Sequence, residues 1–202
     1  MQPRPKDSEA KWALKQVQGD DQKTTGVLKL TYETIRLDIA DKIATITLNR
    51  PERLNAMPPQ MADEISEALD NLGGARALII TGEGRAFCSG ADLQARGGAA
   101  ALGASGPYGA LTRSYNPTMV KLSKLNMPII TAVNGPAAGI GCSLALCSDF
   151  AIAGKSGYFM QAFVNIGLVP DGGASWMLPR LIGKSRATQM MMLGEKIGGE
   201  QA

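Results

Sequence analysis

Three places in this sequence carry residues able to do chemistry together. The first is Phe87-Cys88-Ser89-Gly90-Ala91-Asp92-Leu93, a turn in which Gly90 lets the chain reverse and the Ala91 amide follows. The second is Asn134-Gly135-Pro136-Ala137-Ala138-Gly139-Ile140-Gly141, where an apolar strand, Ile129 to Val133, runs through small residues into an apolar helix. A strand that feeds a helix through glycines leaves backbone N–H groups without intrahelical partners, and the helix dipole adds positive potential there. Two such turns suit an anion, or a carbonyl oxygen that gains negative charge during a reaction. Each also has a plainer reading: Gly90 as an ordinary turn with Asp92 as a helix cap, and Gly139-Ile140-Gly141 as a simple strand–helix connection. The third place is Asp171, alone among apolar and small residues between Gln161 and Gly173. Such surroundings raise a carboxyl pKa toward the general-base range. An aspartate at that point can equally cap the helix that follows.

The residues that are missing narrow the chemistry. The chain has no histidine, so Ser–His–Asp and Cys–His nucleophile pairs and histidine metal sites are excluded. Proton transfer falls to Asp, Glu, Lys, Tyr or water. Cys88, Cys142 and Cys147 form no CxxC pair and read as reduced, buried, small hydrophobes. No metal site is expected. Gly139 to Leu144 has Leu144 where a dinucleotide fingerprint needs its third glycine. Gly183-Lys184-Ser185 echoes a phosphate loop, but Leu178 stands where the first glycine belongs.

The elements that must position these residues follow from periodicity. Thr31 to Asp38 and Ile43 to Leu48 alternate in polarity around Ala40-Asp41-Lys42 and predict a β-hairpin. Pro59 opens a helix whose apolar stripe is Met61, Ile65, Leu69 and Leu72, stopped by Gly73-Gly74. The apolar run Ala77 to Thr81 predicts a strand buried on both faces. Residues 94 to 109 read as a loop or weak helix, and Leu111 to Leu125 as a helix. Strand Ile129–Val133, helix Ile140 to Leu146 and the short run Phe150 to Ala153 follow. Ser175 to Ile182 and Ser185 to Leu193 read as helices, the first broken or kinked at Pro179. Repeated strand–helix alternation argues for an α/β layered fold.

Composition is that of one globular domain, residues 27–202, behind a polar extension, residues 1–26. A net charge of +3 and few aromatic residues argue against nucleic acid as a partner. No apolar run has the length of a bilayer span, and the N-terminal stretch lacks the apolar core of a secretory signal. The expected location is cytoplasmic.

Taken together, LNRPERLNAM, GRAFCSGADL, NGPAAGIG, LALCSD, IGLVPDGG and LPRLIG occur in an order that resembles the crotonase family, the enoyl-CoA hydratases and isomerases. The resemblance runs from about Leu30 to the end. It implies a spiral of ββα turns with a helical C-terminal part that here is cut short, assembly as a homotrimer or dimer of trimers, and an acyl-CoA substrate. Coenzyme A then belongs to the substrate and no further cofactor is expected. By position, the amides of Ala91 and Ile140 would hold the thioester oxygen, with Gly90, Gly139 and Gly141 shaping the turns. Phe87, Asp92 and Phe163 complete the expected substrate-binding set. Hydratases of the family use two glutamates; this chain has Ser143 and Phe163 there. The sequence is more similar to members that shift double bonds or rings, including those of phenylacetyl-CoA breakdown, and this implies Asp171 as the general base. Two other readings stand beside it. One is a hydratase whose water is held by Asp171, Glu64 or Glu83; the other is a catalytically silent acyl-CoA-binding protein.

Overall fold

Asp41 and Lys42 both take positive φ, 50° and 65°. That is the two-residue turn whose twist suits a hairpin. It joins β1 (Ile35–Ala40) to β2 (Ile43–Leu48) in antiparallel register, Ala40 opposite Ile43. The structure is a computed structural model that describes residues 32–93 and 107–202. These lie in one compact unit, Thr31–Ala202. The expectations for residues 1–26 and 94–106 fall outside the described residues.

Strands β3 (Ala77–Gly82), β4 (Ile129–Val133) and β6 (Phe150–Ala153) extend the hairpin into a five-stranded sheet, ordered β1-β2-β3-β4-β6, with every pair after the first parallel. Between them fall helices α1 (Pro59–Asp70), α2 (Pro107–Ala110), α3 (Asn116–Ser123) and α4 (Ile140–Leu146). A π-helical turn, Leu111–Tyr115, joins α2 to α3. Helices α5 (Ala174–Ile182) and α6 (Lys184–Leu193) close the chain, before the two-residue strand Ile197–Gly198.

A second, smaller ladder crosses each connection. After β2 comes Met57, bridged to Ala91; after β3 comes Cys88, bridged to Ala137. After β4 comes β5 (Pro136–Ala138), and after β6 comes β7 (Tyr158–Met160), which pairs with β5 in parallel. Each turn of the chain therefore lays one strand in the large sheet, one short segment in the small ladder, and then a helical segment. This is the ββα spiral, and the α/β class read from the sequence holds.

Met61, Ile65 and Leu69 lie buried along α1 as the four-residue spacing requires. They meet Ile46, Leu48, Leu78 and Ile80 in one core. Burying each such side chain contributes about 1.5–3 kcal/mol. The expectation of a β3 buried on both faces is corrected: Leu78 and Ile80 are buried, whereas Ala77, Ile79 and Thr81 are half-buried. Ile79 lines up through Ile130 with Phe150, which is 64% exposed, so the outward face is only partly covered. Pro179 does not break α5. The carbonyl its missing N–H would have bonded belongs to Ser175, an exposed residue whose backbone water can reach.

Candidate active site

The two glycine turns meet. Met57 N–H donates to the Gly90 carbonyl at 2.8 Å and Asp92 N–H donates to the Met57 carbonyl at 2.9 Å. In such a parallel bridge the intervening Ala91 turns its own N–H away from Met57. On the other side runs the second turn: Cys88 N–H donates to Pro136 O, and Ala138 N–H to Cys88 O, both at 2.9 Å. Gly139, at φ 53° and ψ −125°, takes a backbone conformation that favours glycine, and a Cβ on it would lie 3.9 Å from the Gly90 Cα, in ordinary contact with the first turn. A side chain at Gly141 would overlap the Cys88 carbonyl. Glycine is required at 139 by its positive φ and at 141 by the close approach. Ile140 opens α4 immediately afterwards. Among the described residues, neither the Ala91 nor the Ile140 amide donates to a loop or turn carbonyl.

Asp171 comes to the same place. A Cβ on Gly172 would overlap Ile140 Cδ1 and Ser143 Cβ, so the backbone beside Asp171 rests on the first turn of α4. Asp171 is half-buried, and its Oδ1 is shielded from solvent. The residue that opens α5 is Gly173, and the Asp171 main-chain carbonyl receives the Ala174 N–H at 3.1 Å.

The remaining expected residues divide between lining and support. Phe163, buried in the short helical turn Ala162–Ile166, brings its Cζ within 3.9 Å of where a Gly139 side chain would start. Phe87 is wholly buried in the core under the first turn. Asp92 is 3% exposed, and its carboxylate pairs with Arg50 at 2.9 Å and Arg53 at 3.7 Å. It braces the turn from behind. Glu64 and Glu83 sit elsewhere. Glu64 accepts from the Thr34 and Glu33 amides and from Gln60, and Glu83 pairs with Arg36 on β1.

Four residues that build the site were not singled out for that purpose from the sequence. Asn55, fully buried, donates to the Glu83 and Ala86 carbonyls at 2.9 and 2.8 Å, and Asn134 to Gly82 and Gly84 at 2.9 and 2.8 Å. Both hold the loop that delivers Phe87 to Ala91. Tyr115, in the π-helical turn, donates to the Met57 carbonyl at 2.7 Å and so buttresses the Ala91 bridge; such turns are frequent at functional sites. Ser143 donates to the Asp171 carbonyl at 3.0 Å. An asparagine just before a glycine, as at Asn134, is a signal that could have found one of them.

Comparisons with known proteins show the family. The family model described as enoyl-CoA hydratase/isomerase matches residues 38–202. A probable enoyl-CoA hydratase of Rhodobacter capsulatus is 47% identical over 174 residues, 86% of this chain and 66% of the relative. The 1,2-epoxyphenylacetyl-CoA isomerase of Escherichia coli is 43% identical over 178 residues, 84% of this chain and 66% of the relative. A crystal structure of a putative enoyl-CoA hydratase from Streptomyces coelicolor superposes with a TM-score of 0.79 at 33% identity, covering 91% of this chain and 68% of that one. The chain thus spans about 66% of the length of these curated relatives. With the spiral, the paired turns and these likenesses in agreement, the chain belongs to the enoyl-CoA hydratase/isomerase family.

Proposed function

We propose that the protein isomerises an unsaturated or ring-strained acyl-CoA through an enolate. The observation that carries this reading is the meeting of the Ala91 and Ile140 turns beside the loop that bears Asp171. A thioester oxygen between the two amides accepts from both. The Asp171 carboxylate takes the proton from the α carbon, and the electron pair moves into the carbonyl, whose oxygen becomes the enolate oxygen. Asp171, whose proton exchanges with solvent, then delivers a proton to the γ carbon, so the double bond moves and the composition of the substrate is unchanged. The thioester itself is the electron sink, and the reaction needs no metal or redox cofactor. Each amide is worth about 2.7–4 kcal/mol to the transition state in sites of this type.

Ser143 and Phe163 at the positions of the two water-handling glutamates support isomerisation, as does the name of the E. coli relative. The name of the R. capsulatus relative favours hydration as the second reading. Incubating a 3-enoyl-CoA and a 2-enoyl-CoA with the protein in D₂O separates them by mass. Deuterium gained at the α or γ carbon without added water is the expected result; net addition of water sinks the isomerase reading. If both thioesters bind and neither changes, the silent-binder reading takes its place. The setting we propose is cytoplasmic, with no nucleic acid and no membrane as partner. Among the described residues no helix is long and apolar enough to cross a membrane. We also propose a homotrimer or dimer of trimers, supported by the exposed apolar residues Val169, Trp176 and Met192.

A further inference from the structure

We propose that Ser143 is a positioning residue that fixes Asp171 against the Ile140 donor, an inference that rests on Asp171 being the proton carrier. Ser143 is wholly buried on α4, three residues after Ile140. Its N–H closes the first turn of the helix onto the Gly139 carbonyl at 3.1 Å. Its Oγ lies 3.0 Å from the Asp171 carbonyl and 3.4 Å from that of Gly139. A hydroxyl has one proton to give, and the shorter contact takes it. The same Asp171 carbonyl receives Ala174 N–H, so one oxygen ties the loop both to α4 and to the start of α5.

Gly172 supplies the second attachment. Its backbone lies against Ile140 Cδ1 and Ser143 Cβ with no room for a side chain. The proton carrier and one oxyanion donor are thereby mounted on a single helical turn. The hydrogen bond and the packed glycine are different constraints: packing fixes how far the loop stands from α4, and the directional bond fixes its rotation. Without the Ser143 proton the loop can rotate about Gly172 and carry the carboxylate off its target. Proton transfer requires approach to hydrogen-bond distance, so small displacements are costly. Ser143 gives its proton to the Asp171 carbonyl, so on this inference its loss touches the chemical step and leaves binding alone.

The test compares wild type with Ser143→Ala, Ser143→Cys and Asp171→Asn on 3-hexenoyl-CoA and its α-deuterated form. Cysteine keeps approximately the volume of serine but is a weak donor. For both Ser143 variants we expect kcat to fall roughly 10- to 100-fold with KM held to within about twofold, as for a misplaced catalytic group. The primary isotope effect should rise as proton transfer becomes rate-limiting. Two results overturn the inference: wild-type kcat in both variants, or wild-type kcat in Ser143→Cys alongside loss in Ser143→Ala, which would show that volume matters and the hydrogen bond does not. Failure of the underlying reading looks different. In that case wild type moves no deuterium, or Asp171→Asn keeps the wild-type rate, and the role of Ser143 falls with that of Asp171.

Discussion

Burial sets the chemistry of the three thiols. Cys88 and Cys142 are pushed up from an ordinary 9.0 to about 12, first by desolvation, and Cys147 to about 11, by burial and then by the nearby Asp149 charge. At pH 8 the folded protein therefore holds almost no thiolate, the reactive form. Iodoacetamide should label neither Cys88 nor Cys142 in the native state and both after unfolding, whereas the half-buried Cys147 is not protected to the same degree; labelling of Cys88 or Cys142 in the native state would contradict their burial. The sign of the linkage follows. Below about pH 9 both folded and unfolded thiols keep their protons. From about pH 9 upward the unfolded thiols ionise while the folded ones keep their protons, so the stability these groups contribute is lost progressively as pH rises toward 11 to 12, and the urea midpoint should fall over that range. Asp92 is the other residue whose surroundings define its task. Asp92→Ala strands the Arg50 guanidinium that it holds at 2.9 Å, with an expected loss of about 3 kcal/mol by urea unfolding, at the low end for broken buried pairs because Arg50 is partly exposed.

Helix α1 shows how an element earns its place through one face. Its stripe was legible because Met61, Ile65 and Leu69 recur at helical spacing, and all three are buried. Ile65→Ala should cost about 2–5 kcal/mol, measured by chemical unfolding, since the core around it cannot collapse fully into the space. The hairpin turn makes the opposite case. Lys42 sits at φ 65°, a conformation that costs an ordinary residue about 1–2 kcal/mol. Lys42→Gly should remove part of that cost and raise stability by about 1 kcal/mol, read as a higher urea midpoint. Strand β3 is harder to read, because its run of apolar residues does not reveal that the Leu78 and Ile80 face joins the core while its outward row is only half-buried in a face that Phe150 and Ile152 leave exposed. Strand β5 was read only as part of a glycine turn. Three residues make a strand there because Cys88 and Tyr158 come alongside from distant parts of the chain.

At the scale of the whole molecule, the exposed apolar side chains among the described residues fall mostly in the C-terminal third. Val169, Trp176, Leu181, Met192 and Leu193 are all more than half exposed, and Arg180 lies 4.0 Å above the Trp176 ring. Apolar exposure on this scale favours association. Sedimentation should give a mass about three times the 21.2 kDa chain or a multiple of it, and Trp176→Glu should shift it toward the single-chain value. A single-chain mass for the wild type would count against the trimer. The sequence by itself determined the α/β class, the apolar stripe of α1, the two glycine turns, the absence of histidine chemistry and the isolation of Asp171. These follow from residue type and near-neighbour spacing, which act within a few residues. Only the tertiary structure decided that the Gly90 and Gly139 turns lie side by side, that the loop of Asp171 rests on the first turn of α4, that Asp92 serves Arg50 and Arg53, that Glu64 and Glu83 are engaged at the hairpin, and that Ser143 and Tyr115 reach the site. The partners in those contacts lie between 28 and 58 residues apart where Ser143 meets Asp171 and Tyr115 meets Met57. Contacts over such separations arise from how the spiral closes, which local spacing does not encode.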